Sequence, residues 1–180
     1  IDIYCIEFKY FKTQTQEKII SSDFVVGEEA YIRQKAQSES LPQTNEKQFL
    51  NSLDKNGLEF FQQVFEFAKQ NDLLFRWGSK GFSLNLELDT DFVTLFYGFP
   101  PHSAFKQSVM TDYNQIMKKV KNSESIIEFY KSSVKNLGFV MKKESKWLID
   151  RAITKDEIQQ FFSIIEQVIQ KIKKEGLKTG

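Results

Sequence analysis

Residues 75–99 read FRWGSKGFSLNLELDTDFVTLFYGF, and their alternation leaves few folds open. Phe82, Leu84, Leu86 and Leu88 alternate with Ser83, Asn85, Glu87 and Asp89, which makes a strand with one apolar and one wet face. Ahead of it, Phe75 and Trp77 lead into Gly78-Ser79-Lys80-Gly81, where glycine permits the positive φ that tight hairpin turns use. Behind it, Asp89-Thr90-Asp91 turns the chain into 92–97, a run so continuously apolar and β-branched that it predicts a central strand covered on both faces. Gly98 and Pro100-Pro101 stop that strand. The stretch is a three-strand antiparallel meander.

Such a sheet needs helices to cover its apolar face, and the flanking sequence supplies them. Eighteen of the 180 residues are Phe, enough aromatic volume for a real core. Phe49, Leu50 and Leu53 mark a short helix, and Asp54 is placed to cap a second one, in which Leu58, Phe61, Val64, Phe65 and Ala68 recur at helical spacing. Downstream, the pattern predicts helices over 108–120 and 124–136, the latter with Ser123 as cap and Gly138 just past its end. A second hairpin is expected from 139–143 and 146–150 around Glu144-Ser145. Thr154-x-x-Glu157 is a capping box, followed by a stripe of Ile158, Phe161, Phe162, Ile165, Val168, Ile169 and Ile172. The expected fold is α+β: an antiparallel sheet made of the meander plus a second hairpin, with helices packed on it.

The N-terminal part reads differently. Residues 1–8 alternate, 17–26 end in a second β-rich run, and polar residues 12–16 lie between, so an N-terminal two-strand hairpin is expected within 1–33. Residues 34–46 have almost nothing apolar and include Pro42, the composition of a linker, which leaves 47–175 as the α+β domain. The sequence opens on Ile1 in the midst of a strand pattern, as a fragment of a longer protein would. No apolar run approaches the roughly 20 residues of a membrane helix, so no membrane partner is expected. Cys5 is the single cysteine; it reads as a small hydrophobe, and a reducing, cytoplasmic setting is expected.

Chemistry is sparse. One His and one Cys cannot build a zinc site, and His102-Ser103 has neither an orienting third group nor an oxyanion site in view. Glu7-Phe8-Lys9 has the E-x-K form in which a carboxylate holds a divalent metal and a lysine steadies water or phosphate, with both side chains on one face of a strand. The stretch IDIYCIEFKYFKTQTQEKIISSDFVVGEEAYIRQKA, residues 1–36, resembles the closing segment of PD-(D/E)xK nuclease-like proteins: a strand with an aromatic and basic end, a second strand, then a tyrosine and a basic exit. The resemblance implies that the metal site lies upstream of Ile1. Glu7 and Lys9 would then have no catalytic role, Mg would belong only to that upstream domain, and the remainder would be an accessory domain needing no cofactor.

Charge is unevenly spread. Residues 1–103 carry 10 Lys/Arg against 15 Asp/Glu and residues 104–180 carry 15 against 9, a shift from −5 to +6 that suits contact with a polyanion. Arg76, Trp77 and Lys80 bracket the glycine turn, with Tyr97 and Lys106 expected nearby; cations beside aromatic rings suit phosphate contact with base stacking. These five are the candidate DNA or RNA contacts. The competing expectation is a protein-interaction module or homodimer that packs through Phe96, Tyr97 and Phe99.

Overall fold

Alternation puts the apolar residues of the meander on one side, and helices from both before and after it cover that side. In the computed structural model residues 43–137 except Thr90, and 145–178, are described in full; 5–12, 18–26 and 141–143 are described by backbone alone. The chain divides into two units, Ile1–Leu41 and Pro42–Gly180. In the first, β1 (Cys5–Lys12) runs antiparallel to β2 (Lys18–Val26), with Lys9 opposite Ser21. The connection at 13–17, the segment 27–42 and the side chains of Glu7 and Lys9 lie outside the described residues.

The second unit opens with α1 (Glu46–Ser52), whose cap Asn45 accepts the Gln48 N–H at 2.9 Å, and α2 (Lys55–Gln70), whose cap Asp54 accepts the Gly57 N–H. The meander follows as β3 (Leu74–Gly78), β4 (Gly81–Leu88) and β5 (Asp91–Phe99). Then come β6 (Ser108–Met110), α3 (Tyr113–Lys119), α4 (Ser123–Lys135), β7 (Met141–Lys143), β8 (Lys146–Leu148) and α5 (Lys155–Glu175). The sheet order is β3-β4-β5-β6-β8-β7, and every neighbouring pair is antiparallel. The domain is α+β, as the pattern predicts.

Two boundaries differ from the expectation. Residues 108–110 form a strand, not the first turn of a helix, because their backbone finds partners on both sides: Val109 lies opposite Gly98 of β5 and Trp147 of β8. Those three residues join the meander and the second hairpin into one sheet. The helix begins only at Tyr113, where Asp112 accepts the Asn114 N–H at 3.1 Å. In α4, Ser123 is the first helical residue and not the cap; it is buried, and its Oγ donates to the Met117 carbonyl. Gly138 lies outside the described residues.

Packing explains why α2 buries a wider stripe than its spacing suggests. Phe61 and Phe65 meet Phe82 of β4 at 5.9 and 5.5 Å between ring centroids, the sheet-facing contact. Phe60 and Phe67 are buried as well, against Phe161 and Phe162 of α5; the Phe67–Phe162 pair is stacked at 4.3 Å. Leu58, expected in the stripe, is only half-buried, and so is Phe162, whose ring lies over Phe67 beside the stripe. α5 keeps both arms of its capping box: Thr154 Oγ1 accepts the Glu157 N–H, and Glu157 accepts the Thr154 N–H at 2.9 Å. Gln107 ties β6 to α2 and to the end of β8, donating to Asp54 Oδ1 and to the Ile149 carbonyl, both at 2.7 Å. Gly57 makes room for it: a Cβ there would lie 2.2 Å from the Gln107 side-chain oxygen.

Candidate nucleic-acid interface

Strict alternation along β5 would put 92, 94, 96 and 98 on one face. The register slips by one residue instead: Leu84 pairs with Phe96, but Asn85 pairs with Thr94, leaving Leu95 as the extra residue of a β-bulge. Phe96 therefore faces the helices, 5.5 Å from the Phe161 ring, whereas Phe92 and Thr94 share the opposite face with Tyr97 and Phe99. Thr94 Oγ1 donates to Asn85 Oδ1 at 2.8 Å, and Asn85 Nδ2 donates to the Leu74 and Ser83 carbonyls, so the buried polar pair on that face is satisfied. Close contact between β4 and β5 depends on two glycines. A Cβ on Gly81, whose φ is +145°, would stand 2.1 Å from the Gly98 carbonyl oxygen.

β5 runs on past its short partner β6, and α3 and α4 serve the stretch left over. Lys119 Nζ donates to the Phe92 carbonyl at 2.7 Å, and Tyr130 Oη donates to the Leu95 carbonyl at 3.2 Å. Between α3 and the β3–β4 turn lies an open groove of about 620 Å³. Ser83, Thr94, Tyr97 and Phe99 line it, with Arg76 and Lys80 from the turn side and Gln115 and Lys119 from α3.

Two cations converge on one ring. The Arg76 guanidinium carbon is 4.1 Å from the Phe92 centroid and Lys119 Nζ is 4.0 Å from it. Lys119 is committed, since it also pairs with Asp91 at 2.9 Å; the hydrogen bond from Lys119, followed by that from the Phe92 N–H, holds the Asp91 carboxyl below its ordinary pKa. Arg76 is exposed and makes no ion pair among the described residues, so its planar donors remain available while the ring orients the head. Tyr97 Oη donates to Asp112 Oδ2 at 3.3 Å. Burial, then the Asp112 charge, raises the phenol pKa, so Tyr97 stays a neutral donor at physiological pH.

The groove brings together Arg76, Lys80 and Tyr97 of the five candidates. Trp77 touches its margin, yet its indole belongs to the core side: it pairs across the hairpin with Phe82 and packs on Phe49, Phe65 and Phe75 at 5.9–6.0 Å. Lys106 is exposed in the turn before β6, with φ at +57°, and does not line the groove. Neither Phe92 nor Lys119 stands out in the sequence as a site residue. Phe92 looks like core in an apolar run, and Lys119 reaches the site only because α3 folds back along β5. Among the described lysines and arginines of the basic C-terminal half, Lys119 lines the groove and the others do not.

Other candidates end elsewhere. His102 is exposed, and Ser103 Oγ accepts the Phe105 N–H at 3.2 Å within its own turn. Phe96 is 0% exposed and Phe99 8%, so the aromatic trio expected to form a dimer surface is largely buried within the domain. Among the described residues no three His, Cys, Asp or Glu side chains gather as metal ligands, and no helix is long and apolar enough to cross a membrane. The chain matches no family model, no curated protein and no solved structure, so a functional reading rests on the chemistry of the groove itself.

Proposed function

We propose that the domain is a non-catalytic nucleic-acid-binding module that takes single-stranded DNA or RNA into the β5–α3 groove. The observation that carries this reading is the Arg76–Phe92–Lys119 stack at one end of a groove that also holds Tyr97 and Lys80. The half-buried Tyr97 ring offers a face to an unpaired base, and Arg76, held against Phe92, and Lys80 offer positive charge to phosphates. A single strand suits the site better than a duplex, because stacking needs bases that are not already stacked in a helix. The volume is in the range of roughly 300–1,000 Å³ typical of ligand sites. The resemblance of residues 1–36 to PD-(D/E)xK nuclease-like proteins supports placing the module as the accessory part of such a protein. In that reading Glu7 is not catalytic, and Mg-dependent cleavage lost in Glu7→Ala would overturn it.

Fluorescence anisotropy with labelled single-stranded oligonucleotides tests the groove. Affinity is expected to fall steeply with salt, and Arg76→Ala and Lys80→Ala are each expected to lower the salt slope by about one phosphate contact. Tyr97→Ala should weaken binding by about 1–3 kcal/mol if a base stacks on it. Binding that ignores salt, or that survives Arg76→Ala/Lys80→Ala unchanged, would rule the groove out.

A further inference from the structure

α4 presents to solvent a single helical stripe, Glu124, Glu128, Lys131 and Lys135, at positions i, i+4, i+7 and i+11. The stripe borders a cleft of about 630 Å³ against α3, with Ile127 and Met117 as its apolar lining. Met117 is 48% exposed, and only Leu74 at 43% joins it as an exposed large hydrophobic among the described residues. Met117 stands two residues from both Gln115 and Lys119 on α3, on the side away from the groove that those two line.

Within one chain the stripe is poorly paired. Glu124 and Glu128 are like charges at i, i+4, as are Lys131 and Lys135, and both arrangements disfavour the isolated helix; Glu128 and Lys131, at i, i+3, are the one opposite-charge spacing that offsets them. Among the described residues none of the four makes an ion pair; Lys131 reaches only the Tyr113 ring, at 5.1 Å. The distribution of acid toward the helix start and base toward its end suits the helix's own dipole, but that leaves the apolar cleft and Met117 unexplained.

A two-fold axis perpendicular to α4, passing beside its exposed face at the height of the midpoint between positions 129 and 130, brings the stripe onto its own complement. Glu124 then lies opposite Lys135 of the partner subunit, and Glu128 opposite Lys131 of the partner subunit. We propose that this face is a homodimer interface, with two copies of α4 packed antiparallel over the α3–α4 clefts. The pattern is isologous, as a two-fold interface requires, and it sets the two helix dipoles in opposition. Each like-charge pair then faces two opposite charges, the carboxylates accepting and the ammonium groups donating.

A contact of one helix pair is small, so self-association with a Kd on the order of 10–100 μM is expected, weakened by salt. Sedimentation velocity over a concentration series reads it. Glu124→Lys/Glu128→Lys should be monomeric, and so should Lys131→Glu/Lys135→Glu. An equimolar mixture of the two should associate again, as a heterodimer, which also shows that both variants are folded. A wild-type chain that stays monomeric to about 1 mM, far above that range, would overturn the proposal. So would self-association unaffected by either charge reversal, or a mixture that remains monomeric.

Discussion

On the helix-covered face of β4 and β5, Phe82 and Phe96 are enclosed by rings from Phe49, Phe61, Phe65 and Phe161 and have no water contact to lose. On the other face Phe92 and Tyr97 are only half-buried: Arg76 and Lys119 lie over the Phe92 ring, and Tyr97 meets the Asp112 carboxylate beside its one ring neighbour among the described residues, Phe99. One bulge at Leu95 divides a run of aromatic residues between these two environments. The difference teaches that aromatic content alone assigns no role. A ring surrounded by rings is structural, and a ring flanked by unspent charge is a candidate for recognition.

The largest expected effect breaks the first face. Phe82→Ala removes a ring that meets Phe49, Phe61, Phe65, Phe75 and Trp77 at once, and should destabilise by about 3–5 kcal/mol in urea unfolding. A loss under about 1 kcal/mol would mean that the aromatic cluster around Phe82 does not hold the fold together.

A smaller effect tests the seam between the faces. Thr94→Val keeps the shape but leaves Asn85 Oδ1 without its donor in a site where both residues are buried, and should cost about 1–3 kcal/mol. Unchanged stability would show that the bulge does not depend on that pair.

Legibility in the sequence follows the same division. The β3–β5 meander and α5 could be read because their apolar residues keep a single period over many residues, and the capping box at Thr154 fixes a boundary to the residue. β6 could not be read: three residues, Ser108–Met110, carry no period, and they become a strand only because β5 and β8 stand on either side. The bulge was hidden for a related reason. When both parities of 92–97 are apolar, alternation cannot report where the register slips. At the site, Arg76 and Lys80 could be found because the turn that presents them is local. Lys119 could not, since 28 residues separate it from Asp91, and only the folding of α3 along β5 joins them.

Acid separates the faces by a different route. Hydrogen bonds from Arg151 and from the Thr154 N–H depress the Glu157 pKa from 4.5 to about 2 at the start of α5, which covers the first face. A lowered pKa stabilises the charged folded form, so that contribution is whole above pH 4.5 and is lost as pH falls from there through about 2. Because Arg151 is well exposed, at 38% of its side chain, solvent screening limits the loss to about 1 kcal/mol. Glu157→Gln should flatten this part of the pH–stability curve.

The smallest expected change in stability is the most diagnostic one. Arg76 is exposed, forms no ion pair among the described residues and rests its guanidinium on the Phe92 ring, with the Asp91 charge near by. Exposed cation–π contacts contribute about 0.5–1 kcal/mol, and Lys119 remains on the ring when Arg76 is removed, so Arg76→Ala should shift unfolding by no more than about 0.5 kcal/mol. Arg76→Lys separates charge from shape, since a lysine keeps the positive charge but loses the planar fork that can stack on Phe92 and grip phosphate together. If oligonucleotide affinity falls in Arg76→Ala and recovers only in part in Arg76→Lys while both unfold like wild type, the groove face is used for recognition. If both variants lose stability as Phe82→Ala does, the two faces are one core, and the contrast between them fails.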